Sequence, residues 1–469
     1  MAIRPITPEE TAHVDDLVAR GRSALAAFEG ATQQDVDRLC QAVAWSVANE
    51  KTFERLAQLG VEESGIGDPV SRVSKRFKVM GILRDVLRQK SVGVIEDLPD
   101  KGIVKYAKPV GLVASLVPTT NPELTPPGVG LFVIKCRDAV IFSPHPRSKR
   151  TTRETVEIMR RALAREGAPE DLLQCLERPS IPAAQYLMSR ADLVQATGGR
   201  DMVRAAYSSG VPAYGVGAGN STMVIDETAD VAEAARNTRL SKTSDFGSGC
   251  SADGNLLVDA TVYEALRNCL VDEGGYIVAG EERERLRSIL WDDEGHRTAD
   301  TIAISAQALA TRAGFTIPDD RLFLIVEETE IGRHNVFSSE KLSVVLSMFR
   351  YSGFPEALEK VRAIFEVGGK GHSCGIYSFD DEHVDALARV APVSRIMVRQ
   401  PQSKANAGAF NNGMPMTSSL GCGTWGGNIT SENIHLKHYM NVTWVSRPIA
   451  EDRPTEQELF GAFYGTPTD

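Results

Sequence analysis

Apolar positions recur at three- and four-residue intervals from the start of the chain. Val14, Leu17, Val18, Leu25 and Phe28 mark one stripe, and Val36, Leu39, Cys40, Val43 and Val47 a second. This spacing predicts two amphipathic helices and assigns Cys40 to packing. Thr7-Pro8-Glu9-Glu10 supplies an N-cap, a proline at the first helical position and a glutamate at N3, and Thr32 opens the second helix.

The period then shortens. Segments 91–95 and 103–107 flank the charged, turn-rich stretch 96–102, which predicts a hairpin over 92–108. Segments 110–117 and 139–142 are almost wholly apolar, as strands covered on both faces are. A helix ending near Cys136 lies between them, with Pro126 and Pro127 tolerable only in its first turn, and it reads as a crossover between parallel strands. Helices at 151–165 and 201–208 and strands at 192–197 and 222–225 continue the alternation. The expected fold is α/β, with a doubly wound parallel-sheet domain over 1–240 that carries the 92–108 hairpin as a small oligomerisation arm. A second α/β domain is expected over 241–427, with helices near 262–272 and 281–291 and strands at 322–326, 344–348 and 374–379. Segment 428–469 then returns to the first domain or crosses to another subunit.

The composition narrows the function. The 469 residues are 42% hydrophobic and 24% charged, as expected of a globular chain of two or three domains. Lys and Arg total 52 against 62 Asp and Glu, a net charge of -10, which argues against nucleic acid or anionic lipid as partners. The N-terminus has no apolar signal region and no window is apolar enough to span a membrane. Seven scattered cysteines with no C-x-x-C suggest neither a disulfide framework nor a metal site, and a reducing cytoplasm is the expected location.

In a doubly wound sheet, ligands bind beyond the carboxyl ends of the strands. The residues there are Pro118-Thr119-Thr120-Asn121-Pro122, Ser143-Pro144-His145-Pro146-Arg147-Ser148-Lys149-Arg150, Thr197-Gly198-Gly199 and Gly215-Val216-Gly217-Ala218-Gly219-Asn220. Gly198 and Gly199 open a helix whose N-terminal amides suit a phosphate, although a glycine pair is also an ordinary turn. The last stretch does not match the dinucleotide fingerprint G-x-G-x-x-G. Cys250 lies behind Gly247-Ser248-Gly249, where small neighbours leave a thiol reachable, and Cys422 between Gly421 and Gly423 is its rival on the same local argument. His372 in Gly-Lys-Gly-His-Ser-Cys is a candidate proton carrier, and Glu340 reads equally as a cap or a surface carboxylate.

Together these segments resemble the CoA-acylating branch of the aldehyde dehydrogenase superfamily, which includes acetaldehyde, succinate-semialdehyde and sulfoacetaldehyde dehydrogenases. The likeness runs over nearly the whole chain. Its anchors are Val117-Pro-Thr-Thr-Asn-Pro, Ile141-Phe-Ser-Pro-His-Pro-Arg, Thr197-Gly-Gly, Ala205-Ala-Tyr-Ser-Ser-Gly, Gly215-Val-Gly-Ala-Gly-Asn, Ser241-Lys-Thr-Ser-Asp, Gly371-His-Ser and Leu420-Gly-Cys-Gly-Thr-Trp-Gly-Gly-Asn. The resemblance implies that Cys250 is the nucleophile, Asn121 the oxyanion donor, His372 an aid to the thiol chemistry and Glu340 a cofactor-ribose ligand. Thr119, Ser143, His145, Pro146, Arg147, Thr197, Gly198, Gly199 and Gly217 are the further cofactor contacts expected. Hydrolytic relatives carry a water-activating Glu in Glu-Leu-Gly-Gly, and the corresponding stretch here begins Gly215-Val216-Gly217-Ala218.

The implied reaction is NAD- or NADP-dependent oxidation of a short aldehyde to a Cys thioester, discharged to coenzyme A, by a homodimer or homotetramer. A hydrolytic semialdehyde dehydrogenase and a silent nucleotide-binding scaffold are the alternatives. Segment 143–150, directly after Phe142, holds no Asp or Glu, so NADP is expected to fit. Arg395, Arg399 and Lys404 are the cations expected to approach the substrate.

Overall fold

The computed structural model describes residues 4–467. The opening helices form where the stripes place them, Pro8–Phe28 and Gln33–Ala48, each closed by a capping box from Thr7 or Thr32. β1 (Gly93–Leu98) and β2 (Ile103–Pro109) pair antiparallel as the 92–108 pattern requires, with a register shift between Val94 and Glu96.

The next five strands are β3 (Leu112–Val117), β4 (Ala139–Pro144), β5 (Leu173–Cys175), β6 (Leu193–Ala196) and β7 (Ala213–Gly215). They form a parallel sheet of order β5-β4-β3-β6-β7. The chain moves outward from β3 in one direction and then in the other, so the topological switch lies between β3 and β6. Helix Thr125–Cys136 makes the first crossover with Pro126 and Pro127 in its opening turn. Thr119 and Asn121 follow β3, and Thr197, Gly198 and Gly199 follow β6, so both loops open at the switch point.

The second sheet has seven parallel strands in the order β10-β11-β12-β9-β8-β13-β14. They are β8 (Thr222–Ile225), β9 (Asn255–Asp259), β10 (Gly275–Val278), β11 (Phe323–Glu328), β12 (Val345–Tyr351), β13 (Cys374–Tyr377) and β14 (Ile396–Val398). This corrects the place of 222–225: β8 does not extend the first sheet but lies in the second, hydrogen-bonded to β9 and β13. Its residues Thr-Met-Val-Ile are all buried, and a fully buried strand carries no sign of which sheet it joins. β15 (Met440–Ser446) pairs antiparallel with β2, which makes the hairpin a three-stranded sheet.

One apolar core joins the opening helices to the first sheet. Two others cover the faces of the second sheet. The candidate site lies where the carboxyl ends of the first sheet's strands meet the amino ends of the second sheet's strands, because Gly219, Cys250, Glu340 and His372 all precede strands.

Candidate active site

The loop that carries Cys250 is held from below by one carboxylate. Asp245 lies in a short helical turn, Ser244–Gly247, where Asp245 and Phe246 both adopt φ 50. That is a left-handed conformation which costs about 1 kcal/mol or more for a residue with a side chain. Long-range bonds offset it. Arg72 donates to Asp245 through Nε at 2.9 Å and Nη2 at 3.0 Å, Lys75 Nζ donates at 2.7 Å and Ser248 Oγ at 2.6 Å. Burial works against the charge on Asp245, yet Lys75 and Arg72 together hold its carboxyl down at about 2.

Five residues on, Cys250 is half-buried while Cys422 is fully enclosed. His372 Nε2 stands 3.0 Å from Cys250 Sγ, and His372 Nδ1 lies 2.8 Å from Ser373 Oγ. Burial, and then the Glu340 carboxylate, push the thiol up to about 12, whereas burial and the Arg395 guanidinium push His372 down to about 3. The resting pair is therefore a neutral thiol donating to a neutral imidazole. Nδ1 then carries the ring proton and donates it to Ser373 Oγ. Ser221 Oγ lies 3.1 Å from Ser373 Oγ and donates to the Cys250 carbonyl at 3.1 Å, so the whole array is cross-linked.

Glu340 Oε1 accepts from the Gly219 N–H at 3.0 Å and lines one cavity with Cys250, Lys242 and Ser221. Its carboxyl is raised to about 7, chiefly by burial. Gly219 has to be glycine, since a Cβ there would lie 2.0 Å from the Cys250 carbonyl oxygen. Gly217 packs on Cys422, whose Sγ would meet a Cβ at 3.2 Å, so the rival thiol forms the wall behind the site.

Asn121 is linked to the nucleophile loop indirectly. Its Oδ1 accepts from Lys75 at 2.7 Å. Its Nδ2 makes only a long 3.5 Å contact with Thr120 Oγ1, which leaves that donor for an incoming oxygen.

The loops beyond the first sheet suit a nucleotide. A Cβ on Gly199 would meet nothing within 4 Å, so ligand backbone can approach the helix Arg200–Tyr207 closely there. Thr119 Oγ1 is buried with no hydrogen-bond partner, and Thr197 Oγ1 accepts from Gln195. Val216, Gly217, Ala218, Gly368 and Gly369 help line a cleft of about 540 Å³. Ser143 is buried at the end of β4, and His145 Nδ1 accepts from the Arg147 N–H immediately before Pro146 starts a helical turn.

Two expectations about charge change. The Arg147 side chain is occupied, donating through Nη2 to the Ser64 carbonyl at 2.6 Å. An acid also stands where the chain after Phe142 has none: Glu63 accepts from the Arg150 N–H, the Thr151 N–H and Thr151 Oγ1, each at 2.7 Å. Glu63 arrives on helix Glu50–Ser64, and no reading of the β4 loop alone reveals it. Among the cations expected near the substrate, Arg395 is buried and spent on the carbonyls of His372, Gly421 and Ser431. Arg399 stacks over Phe379, 4.1 Å from the ring centre. Lys404 remains, donating to Ser244 Oγ at 2.7 Å.

The aldehyde dehydrogenase family model matches residues 3–287. A sulfoacetaldehyde dehydrogenase of an Acholeplasma species is 43% identical, over 95% of this chain and 93% of its own. An acylating sulfoacetaldehyde dehydrogenase of Bilophila wadsworthia is 41% identical, over 96% and 98%. The solved structure of an acetylating aldehyde dehydrogenase from Geobacillus thermoglucosidasius superposes with a TM-score of 0.92 at 34% identity, covering 95% of this chain and 99% of that one. The chain belongs to the aldehyde dehydrogenase family, and within it to the CoA-acylating oxidoreductases.

Proposed function

We propose that this enzyme oxidises a short anionic aldehyde, sulfoacetaldehyde first among them, with NAD or NADP and passes the acyl group to coenzyme A. The observation that carries the chemistry is the 3.0 Å contact between His372 Nε2 and the half-buried Cys250 thiol. The substrate rests on the two relatives named for sulfoacetaldehyde.

In this reading Cys250 Sγ attacks the aldehyde carbon while its proton passes to His372 Nε2, and Ser373 Oγ takes the hydrogen bond from Nδ1 that steadies the imidazolium. Asn121 Nδ2 donates to the oxyanion that forms. The glycines at 198 and 199, Thr119 and Thr197 hold a nicotinamide nucleotide and Glu340 meets its ribose; when bound, that nucleotide accepts the hydride. A thioester on Cys250 is left, and the thiol of coenzyme A attacks it. His372, having released the first proton to solvent, takes the thiol proton and Cys250 departs as thiolate, which that proton then neutralises, so one thioester replaces another and both directions are accessible. The Gly215-Val216-Gly217-Ala218 stretch carries no water-activating carboxylate, which favours a thiol over water as the acyl acceptor. The enzyme works as a dimer or tetramer, and its seven free cysteines suit a reducing compartment such as the cytoplasm. No described helix is long and apolar enough to cross a membrane.

The test is turnover of sulfoacetaldehyde with and without coenzyme A, following reduced nucleotide and products together. Acyl-CoA in proportion to nucleotide reduced is expected. Free sulfoacetate released at the same rate without coenzyme A overturns the reading.

A further inference from the structure

Four cations, Arg72, Lys75, Lys78 and Lys404, lie about the Ser244–Gly247 turn and the neighbouring segment 404–408, and only the first two have a carboxylate in salt-bridge contact. Arg72 and Lys75 share the Asp245 carboxylate. Lys404 donates only to the hydroxyl of Ser244. Lys78 donates to the carbonyls of Ala407, at 3.0 Å, and Gly408, with Met416 Sδ at 3.8 Å. Asp85 is the carboxylate that acts on Lys78, but it is taken by Arg84 Nη2 at 2.7 Å and by the Met416 N–H at 2.8 Å.

Lys78 and Lys404 also repel each other. Burial first and Lys404 second push Lys78 down to about 7, and burial with Lys75 lowers Lys404. Like charges held together where water is only partly excluded are unfavourable unless an anion joins them. Neither lysine has a carboxylate in salt-bridge contact among the described residues, and Asp245, whose charge favours that of Lys404, is already shared by Arg72 and Lys75. Lys404 is exposed and so open to a solute, while Lys75 joins the cluster to Asn121 Oδ1.

We infer that Lys78 and Lys404 seat the anionic tail of the substrate, a sulfonate or a carboxylate, while Asn121 meets its carbonyl and Lys75 positions Asn121. The inference rests on the function proposed above and deepens it. A sulfonate offers three oxygens, enough for both ammonium groups at once.

The experiment compares kcat/KM for sulfoacetaldehyde, succinate semialdehyde and acetaldehyde in the wild type, Lys78→Met, Lys404→Gln and Lys404→Arg, with 2-hydroxyethanesulfonate as inhibitor. The wild type is expected to prefer an anionic aldehyde. Lys78→Met and Lys404→Gln are expected to lower that preference at least tenfold, mainly through KM, to weaken inhibition by the sulfonate, and Lys404→Arg to restore part of both. Lys404 is exposed, so its variants keep the test open if Lys78→Met fails to fold. A wild type that prefers sulfoacetaldehyde, with variants that keep the preference, removes the two lysines and leaves the proposed function standing. A preference for succinate semialdehyde that falls in the variants supports the seat and overturns sulfoacetaldehyde. CoA-dependent turnover with no preference for either anion overturns both the seat and the substrate assignment.

Discussion

His372 Nε2 lies 3.0 Å from Cys250 Sγ although 122 positions separate the two residues. They meet because β9 and β13 flank β8 in one parallel sheet, and each residue sits just before the amino end of its strand. Burial disfavours the charge on both groups, so in the proposed mechanism His372 is a proton acceptor at the moment of attack and does not store a thiolate beforehand.

That distinction has a pH signature. With the thiol raised to about 12 by burial and by Glu340, the thiolate fraction of the free enzyme grows about tenfold per pH unit below that value. Alkylation of Cys250 by iodoacetamide, followed by peptide mass spectrometry, is expected to accelerate steadily from pH 6 to 9. A plateau reached by pH 8 means that a pre-formed thiolate is present.

Cys250→Ala is expected to remove CoA-dependent oxidation and acyl-CoA reduction while leaving the melting temperature within a few degrees, because a half-buried thiol among small residues leaves little void. Cys422→Ala is expected to stay at least partly active and to melt lower, since that sulfur is fully enclosed against Gly217. Activity retained by Cys250→Ala transfers the nucleophile to Cys422.

Cofactor choice is expected to turn on Glu63. Its carboxylate caps the helix that follows β4, where a doubly wound sheet holds the adenosine ribose, and it is expected to oppose a 2′-phosphate placed there by about 1 kcal/mol, roughly fivefold. Glu63→Gln is expected to raise the NADP-to-NAD ratio of kcat/KM by that factor. Arg147→Ala is expected to leave the ratio unchanged because Arg147 is spent on Ser64. A ratio that falls in Arg147→Ala and holds in Glu63→Gln reverses the assignment.

The three-stranded sheet has open edges at β1 and β15. Beyond it Leu459, Phe460, Phe463 and Tyr464 expose large apolar side chains, as is expected of an intersubunit contact. Sedimentation velocity of the full chain is expected to give a dimer or tetramer, and a chain ending at Arg447 to dissociate more readily and melt lower. A single monomeric species at micromolar concentration contradicts this.

Much of this is legible in the chain because local physics writes it there. Capping boxes at Thr7 and Thr32, paired prolines confined to the first turn of Thr125–Cys136, and all-apolar strands each leave a mark within a few residues. The motif resemblance likewise picks out Cys250, His372 and Glu340, which meet in one place. What the chain conceals is partnership at a distance. β8 is as apolar as β6, so only its hydrogen bonds reveal the sheet it joins. Asp245 gains its role from Arg72, 173 positions away. Glu63 fills a place that the β4 loop leaves without an acid, and Lys78 gains meaning only beside Lys404.

The most direct test is intact-protein mass spectrometry of the enzyme mixed with sulfoacetaldehyde and oxidised nucleotide in the absence of coenzyme A. One sulfoacetyl adduct is expected, mapping to Cys250, stable until coenzyme A is added and then lost as an equal amount of acyl-CoA. An adduct on Cys422, or one that decays to free acid before coenzyme A is present, contradicts the account.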